Sequence, residues 1–130
     1  MQELLQQIST LEHIDSAHRA VNTRGKPTGV IRVSSKVSTS NATIHLIARQ
    51  LGLKVKKAHS DPEGTAFNLF ISHSTKTGGA FRIMLENAHD EQSLEKPRFR
   101  ISGSKLSHPV RELALSFFEA LAKPKLTLVK

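Results

Sequence analysis

The chain has 130 residues, with nineteen Lys and Arg against eleven Asp and Glu, a formal net charge of +8, and no cysteine, tryptophan or tyrosine. That length fits a single domain, residues 1–130, with a core of modest size. Without cysteine there are no disulfides, no Cys-ligated zinc and no thiol chemistry, and no window approaches the roughly 18 apolar residues of a membrane span.

Residues 2–21 read as one helix. Leu4, Ile8, Leu11 and Ile14 recur at three- and four-residue steps, with Leu5, Ala17, Ala20 and Val21 nearby. The opening Met1-Gln2-Glu3-Leu4-Leu5 has neither the basic start nor the apolar stretch of a signal peptide, so a cytoplasmic location is expected. Asn22 to Thr28 reads as a loop punctuated by Gly25 and Pro27. Val30-Ile31-Arg32-Val33 reads as a short strand. The Ser- and Thr-rich residues 34–41 offer N-caps for a helix over 42–51. Its apolar face is Ile44, Ile47, Ala48 and Leu51, its polar face carries His45 and Arg49, and Gly52 suits the C-terminal cap.

Leu53 to His59 admits two readings. Residues 43–53, with Ala48 followed four residues on by Gly52, resemble the first helix and turn of a helix-turn-helix. That resemblance implies a groove-entering second helix carrying Lys54, Lys56 and Lys57. The other reading is a strand hairpinned to Thr65–Ser72 across Asp61-Pro62-Glu63-Gly64. The turn chemistry of those four residues favours the strand.

Phe67, Leu69 and Ile71 alternate, as do Phe81, Ile83 and Leu85, giving two half-buried strands joined through Thr77-Gly78-Gly79. Residues 86–97 read as an acidic loop. Phe99 and Ile101 then alternate with Arg98 and Arg100 in another strand. A last helix starts near Ser107 and Pro109. It carries Val110, Leu113, Ala114, Phe117, Phe118 and Leu121, and Pro124 ends it. Leu126 and Leu128 suggest a final short strand. The expected fold is α+β: an antiparallel sheet of about four strands packed against two or three amphipathic helices.

Two further resemblances follow from short motifs. The order helix, strands, helix over residues 41–122, with Gly103-Ser104-Lys105 before the last helix, loosely resembles the double-stranded-RNA-binding domain. It implies duplex RNA as an alternative partner. Thr23-Arg24-Gly25-Lys26-Pro27 resembles the minor-groove AT-hook, which implies an extended Arg-Gly-Lys-Pro core.

Charge carries the strongest functional signal. Ser16 to Ser60 holds nine bases (Arg19, Arg24, Lys26, Arg32, Lys36, Arg49, Lys54, Lys56 and Lys57) and no acid. Residues 61–95 reverse this with six acids against two bases, and residues 96–130 return to eight bases against two acids. A sustained positive potential of this kind attracts a polyanion, so non-catalytic binding of nucleic acid is the expected role. Duplex DNA is favoured over RNA because stacking aromatics are scarce and basic loops are present. Arg24, Lys26, Arg49, Lys54, Lys56 and Lys57 are the first candidates for phosphate contacts. Arg98, Arg100 and Lys105 form a second set, which Arg82 joins if its strand is a neighbour. The competing reading is a protein-interaction module docking on an acidic partner. The seven His show no HxxxH or HxH spacing, and no nucleophile elbow or phosphate-binding Gly loop is present. No metal, cofactor or catalytic residue is therefore expected.

Overall fold

In a computed structural model describing residues 2–57, 67–76, 78–86 and 93–122, the chain runs α1 (Gln2–Ser9), β1 (Ile14–Val21), β2 (Pro27–Ser35), β3 (Thr39–Ser40), α2 (Asn41–Leu51), β4 (Lys54–Lys57), β5 (Phe67–Ser74), β6 (Ala80–Glu86), β7 (Ser93–Leu94), β8 (Arg98–Ser104) and α3 (His108–Ala122). Six strands form one antiparallel sheet in the order β1-β2-β8-β6-β5-β4, while β3 and β7 make a separate two-stranded ladder. The α+β class stands, with three helices and a sheet larger than the four strands expected.

The added strand comes from residues 14–21, which the periodicity assigned to the first helix. That helix stops at Ser9. The hydroxyls of Ser9 and Thr10 donate to the carbonyls of Leu5 and Gln7 at 2.8 Å each, and the Leu11 amide donates to Ile8 O at 3.1 Å. Beyond Ile14 the apolar residues are small or exposed, so a helix there would bury little. Pairing with β2 satisfies the backbone instead.

The β1–β2 turn is compact. Asn22 Oδ1 accepts from the amides of Arg24 and Lys26 at 2.9 and 3.0 Å, and Gly25 takes a φ of 78°. The Arg24-Gly25-Lys26 core therefore lies in a folded hairpin tip, which corrects the extended form implied by the AT-hook resemblance.

Helix α2 forms where expected. Ser40 caps its start by accepting from the Thr43 amide, and Gly52 ends it at a φ of 71°. The chain then enters β4 directly, with Lys54 opposite Ser72 and Lys57 opposite Leu69. Strand geometry at 54–57 removes the helix-turn-helix reading. The turn at 61–64 and residues 126–128 lie outside the described residues.

The inner rows of the sheet are apolar across β2, β8, β6 and β5, with Arg19 and Lys57 standing at the two edges. One row reads Arg19, Ile31, Ile101, Ile83, Ile71, Val55 and the next Ala17, Val33, Phe99, Leu85, Leu69, Lys57. These rows share one core with Leu4 and Ile8 of α1, Ile44 and Ile47 of α2, and Val110, Ala114, Phe117, Phe118 and Leu121 of α3. All three helices thus cover the same face.

The turn between β5 and β6 is closed by the Thr75 amide donating to Gly79 O at 2.8 Å. A Cβ at Gly79 would sit 2.9 Å from the Lys105 carbonyl oxygen and 3.2 Å from Val110 Cγ2. Gly79→Ala is expected to cost about 1–3 kcal/mol by pushing this turn off the start of α3. A thermal melt unchanged by the substitution would show that the turn yields freely.

Candidate nucleic-acid interface

Strand alternation puts a second set of side chains on the face that the helices leave open. The central outer row is His18, Arg32, Arg100, Met84, Phe70 and Lys56. The row beside it is Val30, Ser102, Arg82, Ser72 and Lys54. On the other side lie Ser16, Ser34 and Arg98, with Glu86 3.9 Å from the Arg98 guanidinium. Arg32, Lys54, Lys56, Arg82, Arg98 and His18 are exposed, and Arg100 is half-buried. Among the described residues, Glu86 is the one carboxylate in these rows. The Arg98 head is 71 % exposed, so their contact leaves it open to a further anion.

Phe70 sits near the middle of the face. The Arg82 guanidinium carbon lies 5.9 Å from its ring centroid, within cation–π range. Met84 is directly opposite Phe70 on β6. Two shallow hollows flank this centre. One, of about 600 Å³, is lined by Lys54, Ser72, Ser74, Arg82, Ser102 and Ser104 among others. The other, of about 340 Å³, includes His18, Arg32, Arg98, Arg100 and Glu86. Arg side chains present planar forks that match phosphate oxygens, and hydroxyls add further donors.

The residues expected from sequence divide among several places. Lys54, Lys56, Arg98 and Arg100 share the open face, and Arg82 joins them because β6 and β8 are neighbours. Arg24 and Lys26 are exposed at the β1–β2 tip. The register puts that tip at the same end of the sheet as Lys54 and Ser104. Lys105 belongs to this end too, with a φ of 50° and its side chain lying against Gly78. Arg49 is exposed on α2, on the helix-covered side, and is not brought to the face. Lys57 falls in an inner row opposite Leu69 and is half-buried, so its charge does not join Lys54 and Lys56.

Arg32 and His18 are additions from the structure. Arg32 was legible from its place between Ile31 and Val33, whereas His18 was hidden by the helical reading of residues 2–21. Three other histidines have partners within the fold: His13 Nε2 lies 2.7 Å from Phe118 O, His108 Nδ1 lies 3.5 Å from Arg111 Nη2, and His73 packs on Phe81 with ring centroids 5.7 Å apart. Among the described residues there is no group of three or more His, Asp or Glu able to hold a metal, and no helix long and apolar enough to cross a membrane. No family model, no curated protein and no solved structure matches this chain.

Proposed function

We propose that this protein is a non-catalytic nucleic-acid-binding module that uses the open face of its sheet. One observation carries the reading. The side chains of Arg32, Lys54, Lys56, Arg82, Arg98 and Arg100 share a surface whose outer rows hold, among the described residues, a single carboxylate, Glu86. A flat array of cations on a rigid sheet can follow a phosphate backbone without reading bases. The hairpin tip with Arg24 and Lys26 extends this charge beyond the sheet end and would reach the next phosphates along. An acidic protein partner is the second reading. It too would be attracted, but it would not release counterions in proportion to a count of phosphates.

Titration with a random-sequence duplex and with an unstructured oligonucleotide, at several salt concentrations, tests the reading. Five or six phosphate contacts give a log–log slope of affinity against salt near roughly −5 on duplex and about −4 on a single strand. Absence of binding to both at low salt would overturn it and leave the acidic protein partner as the surviving reading. The duplex expectation rested on the scarcity of stacking aromatics together with the basic loops, and the placement of Phe70 bears on the first of these.

A further inference from the structure

Resting on the nucleic-acid reading above, we propose that Phe70 is a stacking site for an unpaired base of a single-stranded polynucleotide. Arg82 forms the second wall of that site, and the serine-lined hollow beside it seats the adjoining phosphate.

Phe81, Phe99, Phe117 and Phe118 are all buried in the core. Phe70 points the other way, from the middle of the open face, and is half-buried between Met84 and Lys56 in its row. An aromatic ring on a solvated sheet face can serve as a cross-strand partner for Met84 and nothing more. Its surroundings give it a further use. The Arg82 guanidinium carbon stands 5.9 Å from the ring centroid. A base inserted between the two needs about 3.5 Å on each side, roughly 7 Å in all. A movement of Arg82 by about 1 Å, within the range of one flexible side chain, therefore opens an Arg–base–Phe sandwich. Guanidinium and phenyl planes both stack on bases, and the phenyl ring does so with little sequence preference.

The neighbouring hollow completes a nucleotide's needs. Ser72 lies two residues along β5 from Phe70, about 6.6 Å at strand rise. It faces Arg82 on one side and Lys54 on the other. With Ser74, Ser102 and Ser104, it lines a volume of about 600 Å³ that has hydroxyl donors and two cations and, among the described residues, no carboxylate. That combination suits a phosphodiester oxygen pair.

A duplex keeps its bases stacked inside, so it cannot offer one to Phe70 without extrusion. The stacking site thus selects single strands, while the surrounding cations attract both forms. The 2′-hydroxyl is not needed for this chemistry, so single-stranded DNA and RNA are the two sources of the ligand.

Since the chain contains no Trp or Tyr, Phe70→Trp introduces a lone indole reporter. Titration of that variant with a 15-nucleotide oligothymidylate, the matching oligouridylate and a 15-base-pair duplex is expected to quench the indole with the single strands and not with the duplex. The tighter of the two oligonucleotides identifies the source. Phe70→Leu keeps apolar bulk and removes the ring face. It is expected to lower single-strand affinity by roughly 5- to 150-fold, with duplex affinity within about twofold of the parent and the salt slope unchanged. Equal loss on duplex and single strand, or no loss on either, overturns the stacking site while leaving electrostatic binding in place. Wild-type protein that binds neither form at low salt removes both readings together.

Discussion

Phe117→Ala is expected to lower stability by about 3–5 kcal/mol, the largest effect of any single substitution considered, because it opens a cavity where three rings meet. Phe99, Phe117 and Phe118 pack edge to face in all three pairings, with centroid separations of 5.9, 5.6 and 5.3 Å and interplanar angles of 80°, 84° and 89°. All three are buried, and Phe99 brings β8 into ring contact with α3. Loss of Phe117 removes two of the three ring contacts as well as the transfer energy of the side chain. In a domain of this size the melting temperature should fall by roughly 10–25 °C. Phe117→Leu, which refills most of the volume, should cost only about 1 kcal/mol. Thermal and urea melts of both variants check this. An alanine variant melting within a degree or two of the parent would show that α3 does not hold the sheet as described. The consequence reaches the open face, because Phe99 alternates along β8 with Arg98 and Arg100. The packing that fixes Phe99 from below also fixes the spacing of those two arginines above.

Much of this arrangement was legible locally. α2 and α3 announce themselves through unbroken helical periods ended by Gly52 and started at Pro109. β5, β6 and β8 announce themselves through strict alternation. The outward placement of Lys54, Lys56, Arg98 and Arg100 follows from the same alternation, as does Phe70 falling off the Phe67–Leu69–Ile71 face. What could not be read was non-local. β8 inserts between β2 and β6, so Val30 meets Ser102 and Arg32 meets Arg100 across some seventy residues of chain. No local pattern records that pairing. The first helix misled for a specific reason. Leu11 and Ile14 continue the Leu4–Ile8 spacing by coincidence, while the Ala17 and Arg19 positions of β1 are too weakly apolar to show a period of two. Arg49 illustrates the converse limit. It lies in the same acid-free stretch as Lys54, yet α2 covers the opposite side of the sheet, so sequence proximity does not bring the two charges to one surface.

Removing three face cations at once should produce the largest functional loss. Arg32, Lys54 and Lys56 are all exposed, so their truncation strands no buried charge among the described residues. Arg32→Ala/Lys54→Ala/Lys56→Ala is therefore expected to keep its melting temperature within a few degrees. Each lost phosphate contact removes about 0.9 from the salt slope on duplex, so the slope should flatten by roughly 2–3 units. Referred to 1 M salt, the same arithmetic costs about two to three orders of magnitude in affinity at 0.1 M. The control removes equal charge off the face, as Lys36→Ala/Arg49→Ala/Lys96→Ala, three exposed residues that lie outside the outer rows. It should lose far less affinity and keep most of the slope. Equal losses in the two variants would mean that binding follows net charge and that the face has no special part. Lys54 and Lys56 have a simpler use as well: lysines on the short edge strand β4 discourage edge-to-edge pairing with another molecule. Light scattering separates the two uses. If edge protection were their whole purpose, the variant would self-associate while each remaining monomer kept its parent affinity and slope. A monomeric variant with a flattened slope places the phosphate contacts on the face itself.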